Sequence, residues 1–139
     1  MSDRLLVVDD DEAIRLTFRS FFKSQGFQVD TAGSIEEATD SLTSTEYAAA
    51  IVDVCLSEKG TEGLTITAYI RQRWLDLPVV IVTAYGSPET AAAAARLGVD
   101  AFLHKPVSLV WLTRLLQARI AAHRGGEPCD ETDALAGAP

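Results

Sequence analysis

The residues that could do chemistry gather where the apolar runs of this chain stop. Asp9, Asp10 and Asp11 close the first run, Leu5-Leu6-Val7-Val8, while Asp53, Thr83 and Lys105 each close another. A parallel sheet collects such ends along one edge, where ligands bind in open α/β folds. Carboxylates gathered there repel each other by about 4 kcal/mol per pair at roughly 4 Å and an effective dielectric of about 20. A positive partner is therefore required, and the candidates are a divalent cation and the Lys105 ammonium. That combination suits the handling of a phosphoryl group. Each residue also has a plainer reading: an aspartate after a strand is often the N-cap of the next helix, and a lysine is usually a solvated charge.

The elements that must position these residues alternate along the chain. β-Branched runs at residues 4–9, 27–31, 48–53, 79–83 and 100–104 read as strands. Between them lie stretches of helical period. Residues 12–25 form the first, with Ile14, Phe18, Phe21 and Phe22 on one face and Gly26 placed to end it in a left-handed conformation. Ser34 and Glu37 make a capping box for the second, which turns Ile35, Ala38 and Leu42 inward. A polar loop, residues 57–63, leads to the third helix, which ends near Trp74. Ser87-Pro88 supplies an N-cap and a first-position proline for the fourth, ending before Gly98. The fifth follows Pro106 with Leu109, Leu112, Leu116 and Ile120 inward. Ala-Ala-Ala-Ile-Val at 48–52 implies a strand buried on both faces. Five β/α units predict a flavodoxin-like (βα)5 doubly wound parallel sheet in strand order 2-1-3-4-5. The switch point of that order lies between strands one and three, which end in Asp9/Asp10 and Asp53.

Composition narrows the classes. With 139 residues, 47% of them hydrophobic and 23% charged, the chain fits one domain with a real core. Residues 1–124 read as that domain and 125–139 as a flexible tail or the start of a linker. A net charge of -8, from 12 basic and 20 acidic side chains, disfavours nucleic acid or an anionic membrane surface as a direct partner. No apolar run approaches the roughly 20 residues that span a bilayer, and Met1-Ser2-Asp3-Arg4 offers no signal-peptide core. Cys55 and Cys129 are the only cysteines, which argues against a structural disulfide and for a reducing, cytoplasmic setting.

Over residues 3–123 the chain resembles the receiver domain of two-component response regulators. The resemblance is carried by Leu-Val-Val-Asp-Asp-Asp at 6–11, Ile-Val-Asp-Val at 51–54, Val-Thr-Ala at 82–84 and Lys-Pro at 105–106. It implies that Asp53 accepts a phosphoryl group from a phosphohistidine on a sensor histidine kinase or phosphotransfer protein. A carboxylate suits that role because it needs no deprotonation at neutral pH. Asp10 would ligate Mg²⁺ directly and Asp9 mostly through water, with the Cys55 backbone carbonyl as a further ligand. Hard oxygen donors and retained waters suit this ion. Lys105 would pair with a phosphoryl oxygen, Thr83 would donate its hydroxyl to another, and the Lys105–Pro106 peptide would be cis. Phe102 occupies the position of the family's rotating aromatic. Its inward swing would reshape the face of helix four, strand five and helix five for docking or phospho-dependent dimerisation. Arg96, Asp100, Arg114 and Arg119 offer charges on that face, or are simply solvated. The product of such a module is a conformation, so it is a signalling domain that assists only its own phosphorylation and dephosphorylation. It would stand alone or belong to a longer regulator, DNA-binding ones included.

Two features depart from the family pattern. Position 57 holds Ser where the family commonly has Pro, and Gly63-Leu64 comes about two residues late. The loop is either a neutral surface insertion or a change in access to Asp53. Tyr85, two residues after Thr83, either obstructs the water that hydrolyses the acyl phosphate or is a surface aromatic. Two rivals fit less well. A haloacid-dehalogenase-like phosphohydrolase needs a further acidic pair after the lysine, but the next acid after Lys105 is Glu127. A flavodoxin-like cofactor binder needs a phosphate-cradling loop after strand one, where this chain has Asp-Asp-Asp-Glu.

Overall fold

The computed structural model describes residues 3–53, 62–74, 76–84 and 86–124. The elements are β1 (Arg4–Val8), α1 (Glu12–Ser24), β2 (Gln28–Ala32), α2 (Ile35–Ser44), β3 (Ala49–Val52), α3 (Glu62–Arg73), β4 (Val79–Thr83), α4 (Pro88–Arg96), β5 (Ala101–His104) and α5 (Leu109–His123). All four strand pairings are parallel and the order is β2-β1-β3-β4-β5, as expected. β1 and β3 end a residue earlier than expected because Asp9 and Asp53 lie just past their ladders, while β2 is shifted one residue on and β3 and β5 start one residue late. α3 starts at Glu62, so Gly63 belongs to its first turn, where its carbonyl accepts from Thr67 Oγ1 at 2.8 Å.

The sheet is covered on both faces. On one, Leu5, Val7, Ile51, Val80 and Val82 pack with Phe18 and Phe22 of α1 and Leu112, Leu116 and Ile120 of α5. On the other, Leu6, Val8, Ala50 and Val52 meet Ala38 and Leu42 of α2 and Ile66 and Ile70 of α3. Alternate residues of one strand thus feed two cores, and all four residues of β3 are buried. Ala94 of α4 packs on Ile81 of β4 beside Phe102.

Local chemistry fixes the helix ends. Asp11 caps α1, its side chain accepting from the amides of Ala13 and Ile14, and Gly26 with φ +97° follows the cap at the other end. Ser34 caps α2 by accepting the Glu37 amide, the serine half of the expected capping box. Ser108 caps α5, and Ser87 with Thr90 forms a full capping box around Pro88 at α4. Of the three consecutive aspartates, Asp11 therefore has the plain capping role, which leaves Asp9 and Asp10 for the sheet edge.

Candidate phosphoryl-transfer site

β1 and β3 deliver Asp9 and Asp53 to the carboxyl edge of the sheet, and β5 delivers Lys105. Asp9 and Asp53 are only 4% and 6% exposed. Lys105 Nζ donates to Asp9 Oδ2 at 2.7 Å and to Asp53 Oδ2 at 3.2 Å. Burial works against the Lys105 ammonium. Its hydrogen bond to Asp9, the charges of Asp9 and Asp53 and its bond to Asp53 outweigh that and raise its pKa above the ordinary lysine value. The cation is thereby held charged between two carboxylates.

Asp10 is exposed and completes the nest. One oxygen from each of Asp9, Asp10 and Asp53 lies within 4.8 Å of the others. Three hard oxygen donors at that spacing fit Mg²⁺, which takes carboxylates and water in an octahedral shell. Among the described residues, one ammonium in contact with the nest against three carboxylates also leaves an excess of negative charge that a divalent ion would offset.

Thr83 ends β4 in the neighbouring strand and is fully buried, and its carbonyl accepts from the Lys105 amide at 2.9 Å. The Lys105–Pro106 peptide is cis. Phe102 lies earlier in β5, paired with Ile81, and is half-buried. Its ring meets His104 edge-on at 5.6 Å and fills the space beside Gly86, where a Cβ would sit 2.8 Å from the ring. Cys55, Tyr85, most of the 57–63 loop, the 125–139 segment and Cys129 lie outside the described residues.

A profile of the response regulator receiver domain matches residues 5–117. The chain belongs to that family. Response regulator MprA of Mycobacterium bovis is 32% identical over 136 residues, covering 98% of this receiver and 57% of that protein. A putative NtrX-like response regulator of Rickettsia felis is 32% identical over 113 residues, 81% of this receiver and 24% of that protein. The receiver thus spans about half or less of these relatives' length. Among solved structures, the response regulator receiver domain protein (CheY-like) from Methanospirillum hungatei JF-1 aligns with a TM-score of 0.85 at 23% identity. That alignment covers 90% of this receiver and 98% of that chain, a likeness of fold. Nothing in the match or the fold supports the phosphohydrolase reading. No helix among the described residues is long and apolar enough to cross a membrane.

Two parts of this receiver differ from the sequence reading. Asp100 and Arg119 are engaged within the domain: they lie 3.7 Å apart, and Asp100 also accepts the Val79 amide at 3.0 Å. Arg15 belongs to none of the sequence motifs, yet its Nη1 donates to the Asp9 carbonyl at 2.7 Å. The signal was present, since a cation in the early turns of a helix opposes the dipole and calls for a specific partner.

Proposed function

We propose that this receiver domain carries a phosphoryl group on Asp53, taken from a phosphohistidine of a sensor histidine kinase or phosphotransfer protein with Mg²⁺ at the acid nest. The observation that carries this reading is the convergence of Asp9, Asp10 and Asp53 oxygens around one point with Lys105 bridging two of them. An Asp53 oxygen forms a bond to phosphorus as the P–N bond to the donor imidazole breaks. The electron pair of that bond stays on the ring nitrogen, which then takes up a proton.

Asp9, Asp10 and Asp53 would hold Mg²⁺, joined in the family by the carbonyl at the position of Cys55. When bound, the ion supplies charge neutralisation to the nest and to the incoming oxygens. Lys105 is already charged and oriented, and it shifts from the Asp53 carboxylate to a phosphoryl oxygen as one forms there. Burial of Asp53 limits water and favours a donor whose own surface covers the edge.

The new group adds about −1.5 to −2 charges. The Thr83 hydroxyl turns toward it, and Phe102 moves off Gly86 into the vacated space, altering the α4–β5–α5 face for a partner or a second copy. The product is this altered face, so the domain acts as a cytoplasmic signalling module that assists only its own phosphorylation and hydrolysis. A longer regulator containing it would supply the effector activity.

Incubation with Mg²⁺ and acetyl phosphate followed by mass spectrometry tests the acceptor. The parent protein should gain one phosphoryl group and Asp53→Asn none. An equal adduct on both would place the acceptor elsewhere.

A further inference from the structure

Asp9 is held on four sides. Its amide donates to the Ala32 carbonyl at 3.0 Å, and its own carbonyl accepts from Arg15 Nη1 at 2.7 Å. One carboxylate oxygen accepts the Asp11 amide at 2.9 Å and the other accepts Lys105 at 2.7 Å. Sheet continuation, the α1 turn and the bridging lysine account for three of these bonds. The fourth, from Arg15, has no such explanation.

Arg15 points back from α1, against the helix dipole, with its guanidinium lying beside Gly33 in the turn between β2 and α2. A Cβ on Gly33 would stand 2.8 Å from Arg15 Nη1 and 3.2 Å from Cζ. Among the described glycines, those with positive φ are Gly26 and Gly98, and Gly33 is not one of them. Backbone conformation therefore does not call for glycine at position 33, whereas the guanidinium does, because it occupies the side-chain space.

The Asp9 carbonyl and the Asp10 amide share one rigid peptide plane. A donor fixed on that carbonyl sets the orientation of the whole plane, and with it the directions in which both aspartates leave the chain. Arg15 also brings positive charge behind the nest without occupying a carboxylate oxygen. We infer that Arg15 and Gly33 are a positioning pair: the guanidinium, seated in the space of a missing side chain, holds the Asp9–Asp10 peptide so that both carboxylates face the cation site. This rests on the reading of the nest as a Mg²⁺ and phosphoryl site.

The test is calorimetric titration with Mg²⁺ of the parent, Arg15→Ala, Gly33→Ala and the double variant. Thermal midpoints without metal and phosphoryl uptake on Asp53 are followed alongside. Each single change should weaken Mg²⁺ binding roughly tenfold, the lower end of what loss of an outer partner costs a metal site. Gly33→Ala should keep the metal-free midpoint, because only the end of a flexible side chain has to move. The double variant should bind no more weakly than Arg15→Ala, since both changes remove the same bond. Parent-like Mg²⁺ affinity in Gly33→Ala, or losses that add in the double variant, would overturn the inference and leave the reading of Asp53 standing. A parent protein that neither binds Mg²⁺ nor gains a phosphoryl group would overturn that reading, and the inference with it.

Discussion

Charge is drawn at least partly out of water at both ends of the sheet, and the two ends treat it differently. At the amino end, Asp100 accepts the Val79 amide and lies 3.7 Å from both Arg71 and Arg119. Arg71 in turn donates to the carbonyls of Leu97 at 2.8 Å, Gly98 at 2.9 Å, Leu77 at 2.6 Å and Trp74 at 3.3 Å. It ties the end of α3 to the end of α4, and Asp76 adds a second negative charge acting on it. Two aspartates thus stand against two arginines, and the fold itself supplies partners for both signs of charge. At the carboxyl end, Asp9, Asp10 and Asp53 converge with Lys105 as the bridging cation. The amino end is a finished joint, while the carboxyl end, among the described residues, is short of positive charge. That deficit, more than burial or the mere presence of ions, distinguishes the end that handles a ligand.

The largest effect expected from this contrast is at Arg71, whose side chain is 13% exposed. Arg71→Ala strips charged donors from several carbonyls and leaves Asp100 with less compensation. Unfolding in urea should show a loss of about 3 kcal/mol, the scale for breaking a buried pair. The folded protein should still take up a phosphoryl group on Asp53 at the parent rate. A variant as stable as the parent would mean that the amino end is not the joint its geometry describes.

Next in size is the response to Mg²⁺. A ligand that binds only the folded state adds about 2.7 kcal/mol at a hundred times its dissociation constant. Urea midpoints with Mg²⁺ and with chelator should differ by that increment in the parent and by little in Asp10→Asn. Asp100→Asn should start lower and keep the full increment, because its charges are already matched.

A smaller effect of opposite sign sharpens the same contrast. Asp53→Asn removes one carboxylate that, among the described residues, faces two others and the Lys105 ammonium, so without metal it should raise stability by about 1 kcal/mol. Neutralising Asp100 should lower it. Equal signs at the two ends in urea unfolding would remove the distinction between deficit and balance.

How much of this was legible in the sequence follows from how far apart the cooperating residues lie. Asp9, Asp53, Thr83 and Lys105 each end an apolar run, and a parallel sheet aligns such ends without detailed packing, so the edge could be assembled from strand order alone. The helix faces were equally open, because Phe18, Phe22, Leu112 and Leu116 repeat with helical period and are buried together. Asp100 and Arg119 read as surface charges because nothing local shows that α5 passes beside the start of β5. Arg15 and Gly33 stayed hidden for a related reason. They meet only once the turn after β2 folds over the first turns of α1, and a glycine kept for space looks in sequence like a glycine kept for a turn.

The smallest expected effect is on the alkaline side of the pH profile, and it has one contributor near each end. The Tyr47 hydroxyl donates to Asp30 Oδ2 at 2.7 Å; burial first, and then Asp30, push its pKa up to about 12. Lys105 at the carboxyl end is also raised. A proton held more tightly in the folded state stabilises fully below the unfolded pKa, about 10 for both groups. That contribution is lost as pH rises through the folded value. Stability should therefore be level up to about pH 9.5 and fall between about 10 and 12, with Tyr47 ionising late by tyrosinate absorbance. Tyr47→Phe should remove the late tyrosinate step and only part of the alkaline loss, leaving the part due to Lys105. If the loss is unchanged, it belongs wholly to the carboxyl end. If it vanishes, the proton that Lys105 holds between two carboxylates serves the site and contributes nothing measurable to the fold.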